Sequence, residues 1–380
     1  MRVAIIGQGY VGLTIAVGAA GAGHNVVGFD VNPDLVKALN SGVSHIEGIS
    51  DSALKSLFSN NTYTASTDAS SINGCDVIVI AVPTPLTESR NPDLSYVHAA
   101  VEMIQNHVKG PVLIINESTS YPGTLRKEIA ARITGVNHLF ASSPERVDPG
   151  NTQWGTKNTP RLIGGLSPEA VSKAKEFYSS FCDTVIEVSS PEVAEAAKIF
   201  ENTFRQVNIA LVNELAQISH ALGIDVRETL DAANTKPYGF MKFTPSAGVG
   251  GHCIPVDPAY LSYEVKKRLG VDFRFIETAM DINNGMPRYV VSRIQRILNR
   301  DEKPLRGSKV LLLGMAYKPN IADLRESPSL EILEILMHEG ADVSYHDPLI
   351  QTLRIGEQVV AGVADASIAA AESDVVVLLQ

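Results

Sequence analysis

Short unbroken apolar runs recur through the first half of the chain, at residues 2–6, 25–29, 76–82 and 111–115. Runs without alternation are typical of strands covered on both faces, as in a parallel sheet. Residues 11–22, between the first two runs, have a helical pattern. The order strand, helix, strand predicts a doubly wound α/β domain that extends to about Val188.

The pattern becomes helical after Val188. Ser190 precedes Pro191, and a serine followed by proline is a favourable helix start. No proline or glycine follows until after Leu222, which predicts one helix of about 30 residues, or nearly 45 Å at 1.5 Å per residue. Such a helix is long enough to bridge two domains or two subunits. Helical patterning resumes over residues 258–268 and 275–299.

A second set of buried strands begins after residue 303, at residues 309–314, 341–348 and 374–379. The first of these runs ends in a glycine, as the opening strand does. A further doubly wound domain is therefore predicted. The last predicted strand of this sheet is followed by no covering helix, which indicates that this domain is cut short at Gln380.

Composition and charge limit the classes of function. The chain has 380 residues, of which 44% are hydrophobic and 19% charged, with a formal net charge of -10. An acidic chain is a poor partner for nucleic acid, and no apolar stretch reaches the roughly 18 residues that span a membrane. Cys75, Cys182 and Cys253 are too few and too far apart for a disulfide framework or a zinc site. We expect no metal, and the reducing cytoplasm as compartment.

The opening strand leads into a glycine fingerprint, Gly7-Gln8-Gly9-Tyr10-Val11-Gly12. The three glycines allow a tight turn, close approach of a pyrophosphate and close helix packing. Asp30 ends the next strand, where a carboxylate accepts hydrogen bonds from ribose hydroxyls and repels a 2′-phosphate. The sequence therefore predicts NAD rather than NADP, bound in a Rossmann-like domain.

Residues 250–258 place Cys253 among glycines and prolines, four residues before Asp257. A free cysteine is commonly a small buried hydrophobe. This segment leaves little regular structure for such packing, and a cysteine in a nucleotide-cofactor enzyme can capture a carbonyl covalently. A dinucleotide-binding fingerprint together with such a cysteine indicates an oxidation that continues beyond the aldehyde to the acid.

Several segments together resemble the UDP-glucose/GDP-mannose dehydrogenase superfamily of nucleotide-sugar 6-dehydrogenases. They run in family order along the whole chain: the glycine fingerprint, Val82-Pro83-Thr84-Pro85, Glu117-Ser118-Thr119, Ser143-Pro144-Glu145-Arg146, Lys198 with Asn202, Gly250-Gly251-His252-Cys253, and 318–325. The resemblance implies two Rossmann-like domains joined by a central helical domain with a long helix. We place these three domains at residues 1–188, 189–300 and 301–380.

The resemblance also implies the chemistry, which is two successive oxidations of a sugar C6 alcohol with two NAD. Cys253 would form a thiohemiacetal and then a thioester, which water hydrolyses. Lys198 would stabilise the alkoxide and oxyanion, and Asn202 would add a hydrogen bond there. Their i,i+4 spacing places both on one helix face. Taken alone, Lys198 would be a solvated lysine on an exposed face.

Further roles follow from the same resemblance. Asp257 would orient a water and assist proton removal, although it is also a natural N-cap for a helix starting at Pro258. Thr119 would lie near the cofactor and the catalytic water, and Glu145 would act in hydrolysis. Without the resemblance, Glu145 is a loop acid paired with Arg146.

The ligand contacts implied by the resemblance extend over the whole chain. Lys318 would contact the substrate nucleotide and Arg325 the NAD, although Arg325 beside Asp323 and Glu326 also has the pattern of a surface ion pair. The remaining cofactor residues would be Gly7, Gly9, Tyr10, Val11, Gly12, Pro83, Thr84 and Thr119. The remaining substrate residues would be Glu145, Arg146, Lys198, Asn202, Phe243 and Gly250.

Two positions depart from the UDP-glucose branch. Val256 stands where that branch often has a lysine, and His252 where it has tyrosine; His252 is expected to be a structural hydrogen bonder. Residues 143–151 and 235–241 resemble the N-acetylhexosamine branch instead. We therefore expect UDP-N-acetylglucosamine as substrate, with its C2 epimer UDP-N-acetylmannosamine as the close alternative. UDP-glucose and GDP-mannose are less favoured.

Two other classes compete with this interpretation. A single-step hydroxyacid dehydrogenase would consume one NAD and leave Cys253 without a role. A non-catalytic nucleotide-sugar-binding protein would lack at least one of Cys253, Lys198 and Asn202, and all three are present. By the resemblance, the long helix also predicts a homodimer, and the acidic sugar product would supply a cell-surface polysaccharide or glycan.

Overall fold

A computed structural model describes residues 1–46, 48–148, 151, 153–251 and 253–380. The chain divides into two compact units, residues 1–201 and 202–380. The strands of the first unit are β1 (Arg2–Ile6), β2 (Asn25–Phe29), β3 (Tyr63–Ser66), β4 (Val77–Ile80), β5 (Leu113–Asn116), β6 (Leu139–Ser142), β7 (Arg161–Gly165) and β8 (Val185–Glu187). Its helices are α1 (Tyr10–Gly21), α2 (Pro33–Asn40), α3 (Asp51–Ser59), α4 (Ser95–His107) and α5 (Pro168–Ser179).

The strands of the first unit form one eight-stranded sheet in the order β3-β2-β1-β4-β5-β6-β7-β8. Neighbouring strands are parallel except β6 and β7, which are antiparallel. The strand order reverses between β1 and β4, the point where parallel sheets of this kind bind ligands. The loops that leave the carboxyl ends of β1, β2, β4 and β5 therefore meet at one edge.

The core of this unit follows from the continuous apolar runs. In β1 and β2 every residue after the first is buried, and all four residues of β4 and β5 are buried. These strands pack with α1 and α5 into one hydrophobic cluster that includes Ile5, Leu13, Val79 and Phe177. The predicted strands at 2–6 and 25–29 are confirmed. The run at 76–82 forms a shorter strand, since its last two residues already belong to the following loop.

The predicted long helix is confirmed as α6 (Pro191–Leu222), which begins in the first unit and continues into the second. Its start has the expected chemistry, because the Ser190 hydroxyl accepts a hydrogen bond from the Val193 N–H at 3.3 Å.

The second unit continues with α7 (Val226–Asn234), α8 (Asp257–Leu269), α9 (Arg274–Arg300), β9 (Lys309–Leu313), α10 (Pro328–His338), β10 (Asp342–His346), β11 (Thr352–Ile355), β12 (Gln358–Ala361), α11 (Ala366–Glu372) and β13 (Val375–Leu378). A parallel three-stranded sheet has the order β10-β9-β13, and β11 and β12 form an antiparallel pair. Apolar side chains of α9, α10 and this sheet form a second core cluster.

The α/β class, with a large Rossmann-like parallel sheet and a long central helix, is confirmed. Within the described ranges, no helix combines the length and the apolar character needed to cross a membrane. The expected N-cap of α8 is wrong: Val256 occupies that position, and Asp257 is the first helical residue.

Candidate active site

The glycine fingerprint forms the turn between β1 and α1. Gly7 has a φ of +91°, and a Cβ there would lie 2.5 Å from the Ala81 carbonyl oxygen. A Cβ on Gly12 would lie 1.8 Å from the Gly7 oxygen, so both positions require glycine. Gly9 is the N-cap of α1 and has no non-neighbouring heavy atom within 4 Å of a built Cβ. This open helix N-terminus, where Tyr10 and Val11 begin the helix, fits a dinucleotide pyrophosphate.

Asp30 directly follows β2, as expected, and its carboxylate is fixed beside the glycine loop. One oxygen accepts the Gln8 N–H at 2.8 Å and the other accepts the Asn32 N–H at 2.9 Å. Gln8 is fully buried, donates to the carbonyl oxygens of Ile5 and Gly7, and accepts from the Tyr63 hydroxyl at 2.8 Å. No pattern in the sequence predicts these contacts of Gln8 and Tyr63.

The loops after β4 and β5 are tied together at the same edge of the sheet. The Ser118 hydroxyl donates to the Val82 oxygen at 2.8 Å and accepts the Val82 N–H at 3.0 Å. Pro83 and Thr84 continue one loop and Thr119 the other. Thr84 is buried, whereas Thr119 is half-buried. The expected cofactor residues of the first unit therefore follow β1, β2, β4 and β5 at the edge where the strand order reverses.

Glu145 lies in the loop after β6 and is held at both carboxylate oxygens. One oxygen accepts the backbone N–H groups of Arg146 and Val147 at 2.7 and 2.8 Å, and the other accepts Arg161 Nη2 at 2.9 Å. The alternative pairing with the Arg146 side chain is wrong. Arg146 instead forms an ion pair with Glu201 at 2.7 Å, and its guanidinium donates to the Pro160 oxygen at 2.7 Å.

Glu117 shares Arg161 with Glu145. Its Oε1 accepts Arg161 Nη1 at 2.6 Å and also the Tyr178 hydroxyl. Burial raises the pKa of Glu117 to about 7, against the opposing effect of Arg161. Burial alone would also raise the pKa of Glu145, but Arg161, the two N–H donors and the charge of Lys198 outweigh burial. The pKa of Glu145 is therefore lowered.

Lys198 belongs to the part of α6 in the first unit, and it is only 8% exposed. This burial contradicts the alternative of a solvated lysine on an exposed helix face. Its charge acts on Glu145, as the lowered pKa of that carboxyl shows. Lys198 is therefore a second buried cation, with Arg161, that acts on Glu145.

Asn202 and Asp257 meet in the second unit. Asn202 Nδ2 donates to Asp257 Oδ2 at 2.5 Å, and the two residues are 6% and 1% exposed. The Asp257 N–H donates to the Cys253 carbonyl oxygen at 2.8 Å, which joins this buried pair to the cysteine loop. A carboxylate engaged by a side chain of α6 explains why Asp257 does not act as the expected helix cap.

Cys253 is exposed, whereas Cys75 and Cys182 are buried. Burial raises the pKa of both buried thiols to about 11, in agreement with inert packing. Glycines shape the Cys253 loop. Gly251 has a φ of +82°, and Cβ atoms on Gly250 and Gly251 would lie 2.6 and 2.7 Å from Tyr317. The loop therefore presents its thiol on a backbone that passes close to a tyrosine.

The remaining expected ligand residues also lie in the second unit, where the Arg325 carbonyl oxygen accepts the N–H of Gly251 in the cysteine loop at 3.0 Å. Arg325 forms an ion pair with Asp323 at 2.6 Å and has an exposed side chain. Its pKa is raised chiefly by Asp323, with a smaller contribution from Cys253. Lys318 is half-buried, and the half-buried Phe243 ring contacts Phe204 at 5.9 Å between centroids.

Some expectations fall outside the described residues. They are the structural role of His252 and two positions of the segment 143–151, Pro149 and Gly150. Among the residues that are described, no group of three histidine, cysteine, aspartate or glutamate side chains is placed to hold a metal ion.

Sequence reasoning missed the role of Arg161. The available signal was weak: a charged residue directly before the apolar segment 162–163, and Glu117 shortly after another buried strand. Their contact joins residues 44 positions apart. Pairing of this kind depends on which strands are neighbours, which the apolar pattern does not specify.

Comparison with known proteins places this geometry in a family. The sequence model of the UDP-glucose/GDP-mannose dehydrogenase family matches in three parts, the NAD binding domain at residues 1–182, the central domain at 192–285 and the UDP binding domain at 311–380. A UDP-N-acetyl-D-mannosamine dehydrogenase from Pyrococcus horikoshii is 37% identical over 380 residues, which cover 98% of this chain and 89% of the relative.

Two further comparisons agree. A UDP-N-acetyl-D-glucosamine 6-dehydrogenase from Pseudomonas aeruginosa is 35% identical over 358 residues, which cover 92% of this chain and 83% of the relative. The solved structure of the UDP-N-acetylmannosamine dehydrogenase from Pyrococcus horikoshii superposes with a TM-score of 0.91 at 34% identity and covers 100% of this chain and 89% of that structure. The chain therefore belongs to the UDP-glucose/GDP-mannose dehydrogenase family of NAD-dependent nucleotide-sugar dehydrogenases.

Proposed function

We propose that the protein oxidises the C6 alcohol of a UDP-N-acetylhexosamine, with UDP-N-acetylglucosamine as first choice, to the uronic acid with two NAD. The observation that carries this proposal is the exposed Cys253 on a tight glycine loop, joined through its carbonyl to the buried Asn202–Asp257 pair. A one-step alcohol oxidation gives such a cysteine no role, whereas oxidation to the acid can proceed through covalent capture of the aldehyde by a thiolate.

In the proposed sequence, NAD accepts one hydride in each of the two oxidations. The Cys253 thiolate adds to the C6 aldehyde carbon, and loss of the second hydride from this thiohemiacetal leaves a thioester. Water then adds at the carbonyl, the C–S bond breaks and the electron pair leaves on sulfur. A thiolate suits both ends of this sequence, because it is a strong nucleophile and its thioester hydrolyses readily.

The proposed roles of the surrounding residues follow from their chemistry. Lys198 and Asn202 stabilise the alkoxide and oxyanion, since preorganised donors are worth most where water is excluded. Asp257 orients a water and assists proton removal. Glu145 is the base for hydrolysis, and Thr119 lies with the cofactor and the catalytic water.

The nucleotide end of the substrate is proposed to bind through the second unit. Lys318 is the cation for the UDP pyrophosphate, with Gly250 and Phe243 as further contacts, and Arg325 reaches the NAD. Arg146 completes the substrate set from the first unit. The match of residues 311–380 to the UDP binding domain supports the assignment of Lys318, which falls within it.

The test is the number of NADH molecules released per UDP-N-acetylglucosamine consumed. Two NADH with an acidic product are expected. Release of one NADH per sugar would indicate a simple alcohol dehydrogenase instead. UDP-N-acetylmannosamine is the second candidate, favoured by the Pyrococcus horikoshii relative, and is assayed in parallel with UDP-glucose. A higher kcat/KM for the mannosamine epimer would replace the first choice without affecting the chemistry.

We also infer a homodimer built on α6. Large apolar side chains at Phe204, Leu211, Ile218 and Leu222 are between 43% and 68% exposed. Their spacing of 7, 7 and 4 residues places them along one face of the helix. An exposed apolar stripe several turns long marks an interaction surface, and a second copy of the same helix is its proposed partner.

A reducing compartment such as the cytoplasm is proposed from the chemistry of Cys253. The proposed nucleophile is an exposed thiol that is in no disulfide and must stay reduced to act. The uronic acid product would supply an acidic sugar for a cell-surface polysaccharide or glycan.

A further inference from the structure

Arg161, Glu117, Glu145 and Tyr178 form a buried group in the first unit, here named the Arg161 cluster. Arg161 begins β7 and is 4% exposed. Its two terminal nitrogens divide between two carboxylates from different loops, Nη2 to Glu145 at 2.9 Å and Nη1 to Glu117 at 2.6 Å.

Further contacts fix the plane of the guanidinium. Tyr178 of α5 lies against it, with the Arg161 Cζ 4.5 Å from the ring centroid, and its hydroxyl donates to the same Glu117 oxygen that Arg161 contacts. Arg161 Nη1 also lies 3.3 Å from the carbonyl and hydroxyl oxygens of Ser143. Arginine is suited to this environment, because its planar fork serves several acceptors in fixed directions.

The Glu145 carboxylate is thereby held on both sides. Two backbone N–H groups fix one oxygen, and Arg161 fixes the other. Without Arg161, rotation about the last side-chain torsion would be restrained at one oxygen only. A catalytic base must lie within hydrogen-bond reach of the proton it removes, so this restraint bears directly on its function.

We propose that Arg161 is a positioning residue, which fixes the Glu145 carboxylate for hydrolysis of the thioester. This inference rests on the proposed function. In the step concerned, the water oxygen bonds to the thioester carbon, the C–S bond breaks, the sulfur leaves as thiolate and Glu145 accepts the proton. No electron carrier is consumed. Arg161 touches none of the reacting atoms and acts through Glu145.

The charges around Glu145 support this role. Besides its own members, the cluster is faced by Lys198 on α6 and by Cys182, which follows α5. Arg161 contacts Glu145 directly, and the positive charge of Lys198 also acts on this carboxyl. Burial in this set would otherwise favour the protonated acid, which cannot accept a proton from water.

The test is Arg161→Lys, assayed by rapid mixing of the full-length chain with NAD and the UDP-sugar. Lysine keeps the charge but not the fork. We expect a rapid release of two NADH per active site, followed by a steady-state rate lower by roughly 10-fold or more, with KM changed little. The accumulated thioester is detected on Cys253 by mass spectrometry of the intact chain. Arg132→Lys is the matched control, because Arg132 forms an exposed ion pair with Glu128 at 2.9 Å.

If Arg161→Lys does not fold, a double variant, Arg161→Met with Glu117→Met, provides the same test. It removes the arginine together with its other acidic partner and leaves Glu145 with its backbone donors. Replacing a buried ion pair by apolar side chains of similar volume is often neutral for stability. The same rapid release and slow steady state are expected from it.

The outcomes separate this inference from the proposed function. If the unaltered protein fails to release two NADH per sugar, the proposed function itself is wrong. If the unaltered protein does so and either Arg161 variant keeps the normal steady-state rate, Arg161 is a structural residue. Loss of the rapid phase and the steady state in equal proportion would also overturn a role specific to hydrolysis.

Discussion

At the scale of single residues, the exposed thiol of Cys253 carries the largest consequence. The other two cysteines, Cys75 and Cys182, are buried, and burial raises the pKa of each thiol to about 11. Exposure and a glycine-shaped loop fit a nucleophile, whereas the buried thiols are packing groups.

Cys253→Ser should abolish the release of two NADH per sugar. The hydroxyl of serine is a far weaker nucleophile, so the aldehyde is not captured and no thioester forms. Product analysis by mass spectrometry should show no uronic acid. Cys75→Ala is the control: it should keep the stoichiometry and lose only a little thermal stability. Uronic acid formed at the normal rate by the serine variant would refute the covalent role.

Lys198→Ala should lower kcat by roughly 10²-fold or more with a small change in KM, because an oxyanion donor acts in the transition state. The burial of Lys198 supports this expectation, since a charge shielded from water interacts strongly. Lys173→Ala, on the exposed surface of α5, should leave kcat unchanged. Equal kcat values for the two variants would reduce Lys198 to a structural cation.

Asp30→Ser should raise activity with NADP relative to NAD. The carboxylate of Asp30 is fixed beside the glycine loop by the Gln8 and Asn32 N–H groups, so its negative charge lies where a 2′-phosphate would bind. The measurement is the ratio of kcat/KM for NADP to that for NAD. The exposed Asp34, in the first turn of α2, provides the control Asp34→Ser. An unchanged ratio in the Asp30 variant would contradict the assignment.

At the scale of elements, the exposed apolar stripe of α6 is the proposed dimer surface. Leu211→Glu with Ile218→Glu places two carboxylates on its exposed apolar stripe, and burying such charges against a second copy is costly. We expect the dimer to become a monomer, as measured by light scattering at micromolar concentration. Lys173→Glu, which adds a carboxylate on the exposed surface of α5, should keep the dimer. A monomeric unaltered chain would refute the proposal without any variant.

The sequence predicted elements and motifs better than it predicted contacts. Unbroken apolar runs identified β1 and β2, because such runs reflect burial of both faces of a strand. The absence of proline and glycine identified α6, because it reflects local backbone preference. The strands β6 to β8 were missed, since polar residues or glycines interrupt their apolar pattern. Arg161 escaped for a different reason. Its partners come from other strands and loops, so its role depends on tertiary contacts that the local sequence pattern does not contain.

At the scale of the molecule, the buried carboxyls make stability depend on pH. The pKa of Glu117 is raised from 4.5 to about 7, and that of Glu195 from 4.5 to about 8, in both cases mainly by burial. A group with a raised pKa in the folded state favours folding below its unfolded pKa. That contribution is lost as pH rises through the folded pKa. Both groups lie in the first unit, which should therefore lose stability between about pH 4.5 and 8.

Glu117→Gln separates this effect from all others, because the amide keeps an acceptor for Arg161 and Tyr178 but does not titrate. Relative to the variant, the unaltered protein should lose roughly 1–3 kcal/mol of unfolding free energy between pH 5 and pH 8. The single tryptophan, Trp154, lies in the first unit, so its fluorescence in a urea titration reports the unfolding of that unit. Glu176→Gln, at an exposed position on α5, should show no such trend. A difference between Glu117→Gln and the unaltered chain that stays constant with pH would mean that Glu117 remains ionised when buried, held so by Arg161.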